Sequence, residues 1–322
     1  MKDKKNNKSY VKFVDLYSKY GVLLILVIVF LICSFSSPAF LQWGNILSTL
    51  NQAAITMVLT CGMTMLLISG HADLSAGSIV ALTSIVCALT MKMTGSPVLA
   101  IGASILAGVI CGLLNGIGVC VLKISFFIIT LATTMILRGM AYILTDGAPI
   151  YGMGKIMNLG QGSLLGIPNL IWIAVMVIIV TFIILNKTVY GRYLYAIGGS
   201  PDAAVASGIN VKKDIMAAFI IMGVIASVSG IMLAGRTNGG YPSAAEGYEF
   251  DAIIAAVLGG TSFNGGVGGV IGSIFGAIII ALINNGMNLV GISAYYQDIV
   301  KGIIIVAAVF IDLKTRSLVM KH

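Results

Sequence analysis

Side chains able to do chemistry are few and scattered in this sequence. It holds two histidines, eleven acidic residues and five cysteines among 322 residues. No HExxH, no GxSxG and no glycine-rich loop ending in Lys-Ser/Thr occurs, so metal hydrolysis, the serine elbow and phosphate cradling all lack their carriers. GASI (102–105) is a faint serine turn, but His71 and the terminal His322 are the only histidines that could serve it. Cys33, Cys61, Cys87, Cys111 and Cys120 lie inside apolar runs with no CxxC or Cys/His spacing, so they read as packing residues. Neither an enzyme nor a metal or cofactor site is expected.

Polar residues in oily surroundings are the stronger signal. SGHADLSAGS (69–78) sets His71, Asp73 and Ser75 between two stretches apolar enough to cross a bilayer. Asp73 and Ser75 read first as a helix N-cap, with Gly70 and Gly77 supplying a tight turn, and His71 as a solvated loop residue. The functional alternative is a polar constriction on a solute path, because polar groups near lipid are costly unless they face protein or water. Asn51, Asn115 and Asn284, within or at the ends of apolar runs, are candidates for the same path.

The elements that must position these residues follow from composition. Hydrophobic residues make up 58% of the chain and charged residues 9%, against roughly a quarter charged in soluble domains. An all-α integral membrane protein is implied, with apolar runs at 21–38, 47–69, 74–91, 97–121, 126–144, 168–186, 214–235, 250–262, 267–287 and 296–312. The eighth run is short and glycine-ended. The chain thus divides into a cytoplasmic tail (1–20), a transmembrane domain (21–312) and a second cytoplasmic tail (313–322).

The net charge of +8 reads as topogenic and not as a nucleic-acid surface. With the N-terminus inside, only Lys92, Lys155 and Arg236 fall in outside loops, and Arg138 and Lys301 fall within spans. All acidic residues map to tails, loops or span ends, which disfavours an ion-coupled secondary transporter, whose cycle commonly turns on a mid-membrane carboxylate. SILAGVICGLLN (104–115) and SIFGAIIIALIN (273–284) align without gaps and run in opposite directions, the arrangement of an inverted repeat. Gly108, Gly112 and Gly116, like Gly268, Gly272 and Gly276, recur every four residues and predict close helix packing.

The cytoplasmic loop 186–213 contains GRYLYAIGGSPDAAVASGI, where Pro201 suits a first helical turn, Asp202 complements a helix N-terminus and Gly208 ends the run. Such a small-faced helix would fit a cleft in a partner. DAAVASG has the D/E-A-A-x-x-x-G spacing by which permease subunits of ATP-binding-cassette (ABC) importers engage their ATPase. Together with DLSAGSIVAL, AIIAAVLGGTSFNGGVGGVIGS and INNGMNLVGISAYYQDIVKG, it closely resembles the permeases of ribose-type sugar importers from about residue 45 to 312.

That resemblance implies about ten transmembrane helices of the type II importer kind, a permease dimer (with a second copy or a paralogue), a separate ABC ATPase and an extracytoplasmic sugar-binding protein, in a bacterial cytoplasmic membrane. It assigns ATPase coupling to Arg192, Pro201, Asp202, Ala203, Ala204 and Gly208. Glu246 and Glu249, in the outside loop 235–251, are expected to receive the binding protein. The solute would be a pentose, hexose or related polyol. Two departures stand out: His71-Ala72 replaces the family's usual Gly-Ile before DLS, leaving the sugar open, and Asp202 stands where Glu is commoner.

Overall fold

The computed structural model describes residues 21–319, with side chains from 21 to 310. The expected N-terminal tail lies outside the described residues. Thirteen α-helices dominate. In the first half run α1 (Gly21–Ser36), α2 (Trp43–Ile68), α3 (Ala76–Thr94), α4 (Pro97–Cys120) and α5 (Phe126–Thr145). A loop with the short α6 (Met157–Gln161) leads to α7 (Asn169–Lys187), then to α8 (Val189–Gly199), α9 (Pro201–Ala206) and α10 (Val211–Thr237). The chain closes with α11 (Tyr248–Leu258), α12 (Val270–Leu289) and α13 (Ala294–Val319).

Seven of these, α2 to α5, α7, α10 and α12, are long and apolar enough to cross a membrane. The other three expected spans fall on α1, α11 and α13. α11 has 11 residues, about 16 Å at 1.5 Å per residue and roughly half of a ~30 Å hydrocarbon core. It is therefore a half-span. α13 continues to Val319, past the boundary expected at 312.

Local chemistry sets several boundaries. Ser96 accepts from the Leu99 N–H with Pro97 in the first turn of α4, Ser200 and Pro201 do the same for α9, and the Asn210 side chain caps α10. α3 stops at Gly95 in the left-handed region.

The glycine ladders act as the spacing predicts, with one exception. A Cβ on Gly108 would strike the Gly223 carbonyl and one on Gly112 the Phe219 carbonyl, so α4 and α10 meet backbone to backbone. Gly272 packs on Gly259 and Gly276 on Ala255, joining α12 to α11. Gly268 instead precedes α12 in an extended loop, with φ +146° that only glycine readily adopts.

The packing order carries the inverted repeat. α3 packs on α4, α5 and α10, and in the second half α11 packs on α12, α13 and α2. Likewise α4 meets α10 as α12 meets α2, while α2 and α10 touch each other at the centre. The first-half pairs just named thus have second-half counterparts, as an internal repeat requires. α2 is the most enclosed span, and α4, α5 and α7 leave most of their surface outward.

Candidate functional site

Two polar nodes are buried in opposite halves of the bundle. The first surrounds Asp73, which is completely buried. Its Oδ1 accepts from the Ser75 backbone N–H at 2.8 Å and from the Ser75 hydroxyl at 2.5 Å, and both carboxylate oxygens lie 3.3 Å from the Asn115 amide nitrogen. Asn115 also donates to the Ser75 hydroxyl at 2.8 Å and accepts from Thr133 at 2.7 Å. α3, α4 and α5 are thereby pinned together.

Asp73 is not the helix cap expected. The N-cap position is Ser75, whose side chain makes no cap bond, and Asp73 instead closes a turn two residues earlier. Gly70, at φ +80°, serves that turn. Gly77 lies inside α3, where its missing side chain leaves room for the Glu249 carboxylate. His71 is packed and not solvated: its ring sits edge-on to Phe126 at 5.8 Å and Phe219 at 6.1 Å, with Nδ1 2.9 Å from the Ser69 carbonyl.

The second node is open. A cavity of about 160 Å³ lies between α2, α11, α12 and α13, lined by Gln52, Thr56, Arg236, Asp251, Asn284 and Lys301 among others. Lys301 Nζ lies 3.0 and 3.1 Å from the two Asp251 carboxylate oxygens, while the buried Asn284 Oδ1 has no hydrogen-bond partner. Asn51, on the same helix as Gln52, also has a buried oxygen without a partner but does not line the cavity. Asn284 is the one expected path residue that lines it.

Arg138 was left unexplained by the sequence. Its guanidinium donates to the carbonyls of Pro242 and Ala244 at 2.7 and 2.8 Å. The loop before α11 runs along α3, Gly240 against Ile85 and Ala245 against Gly77, so irregular backbone enters the bundle and Arg138 satisfies it. This dip carries Glu249 and Asp251 inward. Both are buried, so a place at a span end in the sequence does not leave these carboxylates exposed. Glu246 is exposed, whereas Glu249 is turned into the protein and is unavailable to a docking partner in this conformation.

The expected cytoplasmic element folds into α8 and α9. Arg192, Pro201, Asp202, Ala203 and Gly208 are exposed, and Gly208 has φ +80°. Ala204 faces inward at 3% exposure, so the free small face of α9 is formed by Ala203 and Ala206. α8 is keyed to the bundle: Tyr195 donates to the Gly268 carbonyl at 2.8 Å, and Gly198 abuts Ile68 and Gly266. Burial raises the Tyr195 phenol above its ordinary value.

The family described as branched-chain amino acid transport system / permease component matches residues 45–309. The chain belongs to this permease family. The permease is 40% identical over 307 residues to the ribose import permease protein RbsC of Bacillus subtilis, covering 94% of this chain and 95% of the relative. It is 37% identical to the Escherichia coli K12 protein of the same name, covering 91% and 92%. The L-arabinose transport system permease protein AraH of Escherichia coli K12 is 36% identical, covering 95% and 93%. No solved structure matches the chain. The permease is accordingly a multi-pass membrane protein and one part of a multi-subunit transport system, as the sequence motifs implied.

Proposed function

We propose that this permease imports a monosaccharide through the bacterial cytoplasmic membrane, with both termini cytoplasmic, driven by ATP hydrolysis on a separate subunit. The supporting observation is identity across nine-tenths of both chains to permeases named for ribose and arabinose. An external binding protein delivers the sugar to the face bearing Glu246, and a second permease copy or a paralogue completes the pathway. The outward apolar surfaces of α4, α5, α7 and α13 are divided between lipid and that copy.

Coupling is proposed to enter through α9. Asp202, Ala203 and Ala206 dock in an ATPase cleft, while Ala204 anchors the helix to its own protein. Motion then passes through α8, whose Tyr195 and Gly198 touch the α11–α12 loop and the end of α2, and these are helices that line the polar cavity. Asn51 and Asn284 belong to the outer half of the path, while Asp73, Ser75 and Asn115, bonded to one another, brace the inner half beside His71.

A second reading, branched-chain amino acid import, follows the family description, but a cavity rich in amides, hydroxyls and an ion pair suits hydroxyl groups better than an aliphatic side chain. The test is uptake by vesicles reconstituted with the ATPase and binding protein. ATP-dependent accumulation of D-ribose or L-arabinose is expected, abolished by Ala206→Arg with assembly of the membrane domain intact. Accumulation of L-leucine, or sugar uptake driven by an ion gradient without ATP, would overturn it.

A further inference from the structure

The two nodes correspond through the repeat, yet they are not equally filled. The repeat alignment sets Asn284 opposite Asn115. Thr133 and Lys301 are each the eighth residue of their helices, α5 and α13, which occupy equivalent places in the packing order. Asp73 lies three residues before α3 and Asp251 is the fourth residue of α11, so an acid stands near the start of each member of the remaining equivalent pair. At the first node Asn115 uses its oxygen and its nitrogen on Thr133, Ser75 and Asp73. At the second, the Asn284 oxygen has no partner and about 160 Å³ stays open beside it.

Buried polar groups in a bilayer-spanning bundle normally find partners, so an unfilled node points to a ligand that brings them. The space is large enough to admit several waters or one small ring. A hydroxyl both donates and accepts, so one ring can give O–H to the Asp251 carboxylate and accept N–H from the Lys301 ammonium. Gln52, Thr56 and Asn284 offer the same dual chemistry around it.

We infer that this cavity is the chamber in which the permease holds its solute, and that the Asp251–Lys301 pair clamps neighbouring hydroxyls of a single neutral sugar ring. The inference rests on the sugar-import reading above. Opposite charges within the pair offset one another, so the clamp recognises hydroxyls without demanding an ionic solute. Arg236 adds one positive charge at the edge, which makes a sugar acid the rival ligand chemistry.

The experiment uses Asn284→Cys in the full chain, reconstituted with ATPase and binding protein and labelled with a small thiol reagent. The native cysteines are buried, so labelling reports the introduced thiol. D-Ribose or L-arabinose is expected to slow labelling at least threefold, with L-leucine and D-gluconate without effect. Asn284→Trp, which fills the space, is expected to cut sugar uptake more than tenfold while still co-purifying with the ATPase. Protection by leucine or gluconate instead of sugar would overturn the ligand class, and native uptake by Asn284→Trp would overturn the chamber. If the unaltered complex moves no sugar at all, the sugar-import reading fails first; if it moves sugar and Asn284→Trp does too, only the chamber fails.

Discussion

Asp73 and Asp251 stand near the starts of α3 and α11, one just before its helix and the other in its first turn, and their surroundings differ. Asp73 is sealed by Ser75 and Asn115, with Thr133 bonded behind them, and has no exposure. Asp251 is opposed by Lys301, whose side chain keeps 22% exposure, and both face a cavity. A satisfied, closed network rigidifies three helices against each other. An ion pair beside open space leaves its partners exchangeable, because a solute hydroxyl can replace either contact. An acid near a helix start therefore serves as an anchor in one half and as a grip in the other.

Removing the anchor gives the largest expected effect. Asp73→Ala strips the acceptor from the Ser75 N–H, the Ser75 hydroxyl and the Asn115 amide, and each buried donor left unsatisfied costs about 1–3 kcal/mol. Repacking should limit the loss to about 3 kcal/mol, read as a lowered midpoint of thermal unfolding in detergent. Asp73→Asn keeps one acceptor oxygen and should lose about 1 kcal/mol. Native midpoints for both variants would show that the node does not anchor the bundle.

The opposite signature is expected at the open node. Lys301→Met should lower sugar uptake about tenfold, equivalent to about 1.4 kcal/mol in the limiting step. Its thermal midpoint should fall by less than that of Asp73→Ala, because Asp251 loses one partner there whereas three donor contacts are stripped at the first node. The exchange of both residues, Asp251→Lys with Lys301→Asp, should recover part of the uptake. A variant that loses stability as heavily as Asp73→Ala, with uptake per folded protein unchanged, would make the second node an anchor as well.

The smallest effect is expected at His71. His71→Gly removes the ring contacts with Phe126 and Phe219, each worth about 0.5–1.5 kcal/mol, and loosens the turn beside the closed node. Midpoint stability should fall by about 1 kcal/mol. The ratio of ribose to arabinose uptake should shift by less than threefold, since the ring packs against protein. A larger change in preference would place His71 on the solute's route.

Much of the fold was legible because a membrane leaves the backbone few choices. Apolar runs set most spans to within a few residues, and Pro201 marked where α9 starts. Gly108 and Gly112 announced a backbone-close contact, although not that α10 would be the partner. The half-length of α11 was visible in its short apolar run. Its consequence was not, because nothing local in GRTNGGYPSAAEGYEFD says that the loop enters the bundle. That depends on Arg138, about a hundred residues earlier, offering two hydrogen bonds to carbonyls that would otherwise be lost to lipid.

Candidate residues divide in the same manner. Asn115 and Asn284 were singled out by a linear match between two helices, and both prove central to their nodes. Lys301 was noticed only as a charge inside a span, and Asp251 only as a loop acid. Glu249 and Ala204 face inward because of how α11 and α9 lie on their neighbours, which their own segments do not encode.

By itself, the sequence determined that the chain crosses a membrane many times, and it predicted an internal repeat and a small-faced helix fit for a partner. Those features depend on periodicity, charge placement and the energetic rule that spanning backbone must be helical. Only the tertiary structure decided which buried polar residues find partners and which are left facing space. Satisfaction of a hydrogen bond is a relation between side chains far apart in the chain, at distances of a few tenths of an ångström, and no local pattern specifies it.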